Sequence, residues 1–161
     1  FCFRFGYMKP EDTFDYPLRW SWHSIQRHYN IIASKNDLTM TMGYVLLNID
    51  QENGTPSTKL GPKIGMEPGS LTRTLKTMID KGYICKQSDE IDRRKVHICI
   101  TELGKLKHEA SREAVIHFNA YLDKKISKSQ KKKFFEVMEI INNVLSNENI
   151  FEELQEYETT N

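Results

Sequence analysis

Residues 57–101 impose one order on the chain: short helix, glycine-closed turn, second helix, then two alternating strands. In STKLGPKIGMEPGSLTRTLKTMIDKG (57–82), Ser57 or Thr58 stands where it can cap a helix that turns Leu60 and Ile64 inward, and Gly65 ends it. Pro62 allows only a short helix, with the proline close to its first turn. After the turn MEPGS, a second helix is predicted from about Pro68 to Lys81. Leu71, Leu75, Met78 and Ile79 form its buried stripe, and Gly82 stops it in the C′ position. Its opposite face carries Ser70, Thr72, Arg73, Lys76 and Thr77.

YICKQ (83–87) and KVHICIT (95–101) then alternate as strands, with SDEIDRR between them. Val96, Ile98 and Ile100 point one way; Lys95, His97, Cys99 and Thr101 point the other and are expected to be exposed. A two-stranded hairpin with a basic tip thus follows the helix pair directly. Helix-turn-helix plus basic hairpin is the pattern of a winged helix.

The flanks are helical. Residues 14–35 predict a helix starting near Pro17, with Leu18, Trp22, Ile25, Tyr29 and Ile32 at helical spacing, broken at Asn36 and Asp37. Thr39 or Thr41 can cap a second helix whose stripe is Met42, Val45, Leu46 and Ile49, and NGTPS (53–57) reads as a turn. Beyond the hairpin, Thr101 is placed to cap a long helix carrying Leu103, Leu106, Ala110, Ala114, Phe118 and Leu122. A last helix begins near Ser127 or Ser129, with Phe134, Val137, Met138, Ile141, Val144 and Leu145 as its apolar stripe.

Charge is unevenly placed. The formal total is +1, yet Lys59 to Lys107 holds eleven cations and six anions, while residues 147–161 hold five Glu and no cation. A basic centre suits an anionic partner there. With 39% hydrophobic and 28% charged residues the chain is neither disordered nor membrane-like in composition. Its opening, FCFRFGYMKP, is a poor signal peptide. Three cysteines (Cys2, Cys85, Cys99) make no metal spacing or disulfide framework, so a reducing, cytoplasmic setting is expected. The five histidines form no zinc pattern, and no phosphate loop, nucleophile elbow or paired-carboxylate motif stands out. The expectation is no enzyme, no metal and no cofactor.

The stretch from Ser57 to Gly104 closely resembles the DNA-binding core of MarR-type transcriptional regulators. The resemblance rests on the helix pair, LTRTLKTMIDKGYI, the wing residues Asp92, Arg93 and Arg94, and ITELG opening the next helix. The flanking helices match in arrangement, extending it to roughly residues 14–145. It implies a mainly α fold with a small β-hairpin wing: a winged helix-turn-helix flanked by N- and C-terminal dimerisation helices. The expected organisation is an extension over 1–13, a helical dimerisation region over 14–36 and 102–146, a DNA-binding region over 37–101 and an acidic tail over 147–161. The resemblance further implies a homodimeric, ligand-responsive repressor acting on a pseudo-palindromic duplex, with a small-molecule effector in a crevice between the dimerisation and DNA-binding parts.

The candidate DNA-binding residues are Ser57, Thr58, Ser70, Thr72, Arg73, Lys76, Arg93, Arg94 and Lys95. Arg73 is the first choice for a base contact, because Arg is the commonest reader of guanine. Arg93 and Arg94 suit phosphates or the minor groove, and by resemblance Asp92 orients a wing arginine. Trp20, His23, Arg27 and Tyr44 are the candidate effector crevice; aromatics plus a cation suit an aromatic acid, though the group around His23 suits a dimer core better. Two alternatives stay open. One is a winged-helix protein-interaction module. The other is redox sensing through Cys85 and Cys99, which lie opposite each other if the hairpin centres near Glu90 to Asp92; two small strand residues are the simpler account.

Overall fold

The computed structural model of the chain describes residues 9–88, 96–146 and Ile150. After a short 3₁₀ turn at Pro10–Asp12 come α1 (Asp15–Ser34), α2 (Met40–Asn48), β1 (Thr55–Pro56), α3 (Ser57–Ile64), α4 (Pro68–Asp80), β2 (Ile84–Ser88), β3 (Val96–Ile100), α5 (Glu102–Asp123) and α6 (Lys128–Leu145). They form two compact units divided after Ile116.

In the first unit, α1 ends on Asp37, which takes a left-handed conformation at φ 55°. The Leu38 amide donates back to the Ala33 carbonyl at 3.0 Å, closing the helix as a glycine would. Asn30 of α1 accepts the Met40 amide at 2.9 Å, and Thr39 accepts that of Met42 at 3.2 Å, so two side chains cap α2. The predicted α2 stripe is the core: Met42, Val45, Leu46 and Ile49 are buried, Val45 and Leu46 fully. Leu60 and Ile64 of α3, Leu71, Leu75 and Met78 of α4, and Tyr83, Ile84 and Ile98 of the sheet region join it, each drawn from a predicted apolar stripe or strand, and Leu38, which no predicted stripe held, completes it.

Gly65 closes α3 at φ 64° and Gly82 closes α4 at φ 72°, both as predicted. The start of α3 differs. Pro56 is its N-cap, and Ser57 and Thr58 fall inside its first turn without a side-chain cap. Pro62 sits in the second turn of this eight-residue helix, not beside the first.

The sheet also differs. It has three antiparallel strands in the order β1-β3-β2, so NGTPS is more than a turn. Thr55 pairs with Ile98 and Pro56 with His97. The free edge of β3 recruits two residues whose local sequence reads as loop, and proline is tolerated on an edge strand. Ahead of them, Asp50 accepts the Glu52 and Asn53 amides at 2.9 and 2.8 Å, and Gly54 turns at φ 66°. This third strand changes the outer face of the hairpin. A Cβ on Gly54 would lie 2.6 Å from the Cys99 sulfur, so Cys99 is half-buried where exposure was expected.

Thr101 caps α5, accepting the Gly104 amide at 3.0 Å. The inward face of its first turns is Gly104, Lys107, His108 and Ser111; Leu103 and Leu106, expected in its apolar stripe, are exposed. Gly104 is packed against the Tyr83 carbonyl, leaving no room for a Cβ, and His108 is buried with the Gln51 amide donating to its ring at 3.3 Å.

In the second unit, Ser127 and Gln130 form a reciprocal capping box at the start of α6. Lys131 pairs with Asp123 at 2.6 Å. Of the α6 stripe, Met138 and Ile141 are half-buried, whereas Phe134, Val137, Val144 and Leu145 are exposed.

Candidate nucleic-acid interface and effector cleft

The α3–turn–α4 pair presents the first site. Because Leu71, Leu75 and Met78 fix one face of α4 in the core, the face turned away is forced outward. Thr72, Arg73, Lys76 and Thr77 are exposed on it, while Ser70 is half-buried. The Thr72 hydroxyl donates to the Pro68 carbonyl at 2.9 Å and that of Thr77 to the Arg73 carbonyl at 3.1 Å, leaving each oxygen free to accept. Arg73 is exposed, and its Nε donates to the Gly69 carbonyl at 3.3 Å, one turn back along α4. Ser57, Thr58 and Thr72 share a shallow groove between α3 and α4, alongside Pro62, Glu67 and Pro68. The first turn of α3 therefore borders that groove. Lys63 is committed elsewhere, to the Asn48 carbonyl at 3.0 Å.

Asp92, Arg93, Arg94 and Lys95 lie outside the described residues, as does Cys2. The strands that carry the wing are described, with pairing running from Ile84 opposite Ile100 to Ser88 opposite Val96. Cys85 stands directly opposite Cys99. Both thiols are free; Cys85 is exposed, and Cys99 bonds the Gln87 side-chain oxygen at 3.3 Å. Burial, with a smaller contribution from Cys85, pushes the Cys99 thiol above its ordinary pKa.

A second site is a cleft of about 180 Å³ within the first unit. Trp22 and Tyr29 of α1 and Tyr44 of α2 give it aromatic walls, and Ile32, Leu38 and Leu47 add aliphatic ones. Ala110, Ser111, Ala114 and Val115 of α5 close it from the other side. Asn36, Thr39 and Ser111 are its polar points. Of the four crevice candidates only Tyr44 lines it; Trp20, His23 and Arg27 are exposed on α1 and do not. Three of the lining residues missed, Gly43, Ala110 and Ala114, carry a signal in common, a small side chain where a packed core would need bulk.

Among the described residues no group of three His, Cys, Asp or Glu is placed to hold a metal ion. No helix among them is long and apolar enough to cross a membrane.

A helix pair with an outward polar-basic face, followed by an antiparallel hairpin that a third strand extends, defines a winged helix-turn-helix domain. Residues 38–96 match the sequence model of the MarR family. The curated protein SarZ, an HTH-type transcriptional regulator, is 32% identical in Staphylococcus haemolyticus over 78 residues, covering 48% of this chain and 53% of that protein. In Staphylococcus aureus strain USA300 SarZ is 32% identical over 98 residues, covering 60% and 66%. The chain thus spans between about half and two thirds of the curated relatives it matches. Among solved structures, MepR of S. aureus in complex with DNA superposes with a TM-score of 0.76 at 17% identity, covering 81% of this chain and 97% of that one. PcaV of Streptomyces coelicolor with its natural ligand gives 0.76 at 15% identity, covering 88% and 99%. At these identities the likeness is one of fold.

Proposed function

We propose that the protein is a ligand-responsive transcriptional regulator that binds pseudo-palindromic duplex DNA as a homodimer. The observation that carries this reading is the outward face of α4, where Thr72, Arg73, Lys76 and Thr77 stand exposed on a helix anchored through its opposite face. In a docked complex α4 enters the major groove, Arg73 reads a base edge, and Ser57 and Thr58 hold phosphate at the start of α3. Arg93, Arg94 and Lys95 reach the flanking backbone or minor groove, oriented by Asp92. Exposed apolar side chains at the start of α1 (Phe14 at its N-cap, and Trp20) and, in the second unit, on α6 (Phe134, Ile140, Leu145) are the candidates for cover by a second copy. The cleft lined by Tyr44 is the effector site. This reading extends what is printed for the relatives: SarZ is a transcriptional regulator, MepR is seen with DNA and PcaV with a ligand. It entails no enzymatic activity and a cytoplasmic location.

The test is selection of random duplexes by the purified protein, followed by fluorescence anisotropy on the enriched sequence. The expected product is an inverted repeat with half-site centres about one helical turn, roughly 10 bp, apart. Affinity on it should fall steeply with salt. Enrichment of no sequence, or a purified monomer, refutes the reading.

A second reading, oxidant response, is favoured by the direct opposition of Cys85 and Cys99. Peroxide would oxidise both thiols to one disulfide, itself being reduced to water. Cys85, exposed, is the attacking partner, because desolvation keeps Cys99 protonated. Equal DNA affinity of reduced and peroxide-treated protein eliminates it.

A further inference from the structure

The cleft was expected to gather aromatics and a cation, as a site for an aromatic acid does. Its actual lining is different. Among the described residues that form it, none carries a charge at neutral pH. His23 and Arg27, the groups that could have met a carboxylate, stand outside it. Lys107 approaches from α5, but its ammonium ends on the Asn36 carbonyl at 2.8 Å and over the Tyr83 ring, and it is not part of the lining.

The remaining polarity is weak and directional. Thr39 Oγ1 accepts the Met42 amide and keeps its hydroxyl proton and a second lone pair for a ligand. Ser111 donates to the Lys107 carbonyl at 2.9 Å, so it offers a lone pair. Burial pushes the Tyr29 phenol above its usual pKa, so it stays un-ionised. A carboxylate moved into such a lining is desolvated without a counter-charge, the arrangement that most strongly disfavours an ionised group. A neutral ring loses nothing comparable and gains contact with Trp22, Tyr29 and Tyr44. Size agrees: the cleft holds about 180 Å³, and an apolar cavity of about 150 Å³ takes up benzene.

We propose that the cleft binds an uncharged aromatic molecule, a single substituted benzene ring with one or two hydrogen-bonding groups, and discriminates against aromatic carboxylates. The proposal rests on the effector reading above and narrows its ligand to one chemical class.

Isothermal titration of the full chain with methyl benzoate and with benzoate at neutral pH tests it. Methyl benzoate should bind at least about tenfold more tightly, the discrimination expected for an unpaired buried charge. Ala114→Leu fills the cleft and should abolish methyl benzoate binding. Ala114→Arg supplies the missing cation and should reverse the preference; should that variant not fold, the leucine variant still locates the site. Three results overturn the proposal: benzoate binding as well as the ester, neither compound binding, or ester binding that Ala114→Leu leaves unchanged. DNA affinity measured with and without methyl benzoate separates the two claims. Binding in the cleft with no change on DNA removes the effector role and leaves the ligand class standing.

Discussion

Two glycine-to-alanine substitutions, each inside a helix, should change stability in opposite directions. In a helix interior alanine is favoured over glycine by roughly 1 kcal/mol, and the smaller entropy of the unfolded chain works in the same sense. Gly69 lies near the start of α4 with nothing within 4 Å of an added Cβ, so Gly69→Ala should stabilise by up to about 1 kcal/mol. Gly104 lies in the first turn of α5 against backbone. A Cβ there meets the Tyr83 carbonyl oxygen, its carbonyl carbon at 2.9 Å and Ile100 Cγ2 at 2.8 Å. Backbone cannot rotate aside as a side-chain tip can, so α5 must move off the start of β2. That movement strains the two bonds that tie Thr101 to the end of the preceding turn, from its amide to the Tyr83 carbonyl at 3.1 Å and from its hydroxyl chiefly to the Gly82 carbonyl at 2.6 Å. Overpacking costs about 1–3 kcal/mol and each lost bond about 1. Subtracting the propensity gain of roughly 1 kcal/mol leaves Gly104→Ala destabilising by roughly 2–4 kcal/mol. For a chain of this size that is a fall in Tm of about 5–15 °C, read by circular dichroism alongside urea denaturation. Gly104→Ala at or above the wild-type Tm would refute the claim that α5 is seated by direct contact with the Tyr83 backbone.

Arg73→Ala should relax base preference at one position of each half-site, at a cost of about 1–3 kcal/mol on the selected sequence, measured by anisotropy on single-base variants. The double variant Arg93→Ala, Arg94→Ala should instead weaken binding to all sequences and flatten the salt dependence by nearly two counterions per protomer, with melting temperature unchanged; an unaltered slope leaves the wing idle. At Asp37, the Lys81 ammonium at 2.7 Å, then the Tyr83 hydroxyl at 2.8 Å, hold the carboxyl below its ordinary value of 3.8. A depressed folded pKa contributes stability that is complete above the unfolded value and lost as pH falls through the folded one. Wild type should therefore lose stability below about pH 4 more steeply than Asp37→Asn; parallel acid melts of the two would show the pair to be inert.

The helices of the winged helix-turn-helix were legible because burial on one face leaves a local period. Leu71, Leu75 and Met78 sit one turn apart, and the glycines at 65 and 82 mark positions that need φ > 0. In α5 the same reasoning picked the wrong face at its start. Leu103 and Leu106 repeat at helical spacing, but so do Gly104, His108 and Ser111, and the second set packs inward because a close approach to Tyr83 demands a missing Cβ. Hydrophobicity cannot signal a contact made through the absence of a side chain. β1 was hidden for another reason: the pairing of Thr55 and Pro56 is set by the free edge of β3, far along the chain, not by their own propensity. The cleft was mostly illegible too. It is a space left by alanines and a glycine on separate helices, and of its lining only Tyr44, and Trp22 as a neighbour of the His23 group, were in view from the sequence.

One short turn joins the two candidate sites within the first unit. Asn36, Leu38 and Thr39 line the cleft, and between them Asp37 faces the other way, held in a left-handed conformation that costs a non-glycine residue energy. What sustains it is its position in a web of polar bonds. Its carboxylate takes Lys81 from the end of α4 and the hydroxyl of Tyr83 from the start of the hairpin, and its own carbonyl accepts from the same hydroxyl at 3.1 Å. Lys107 of α5 binds the neighbouring Asn36 carbonyl. The end of α4, the start of the hairpin and α5 therefore meet on residues 36–37, and two of these polar ties come from just beyond the C-terminal end of the helix proposed to read DNA. A molecule that displaces Asn36, Leu38 or Thr39 from within the cleft acts on the backbone that holds Asp37. Lys81, at the C-cap of α4, and Tyr83, just before β2, both bond that residue, so on the proposed function a shift of this turn would bear on both parts assigned to DNA, α4 and the hairpin.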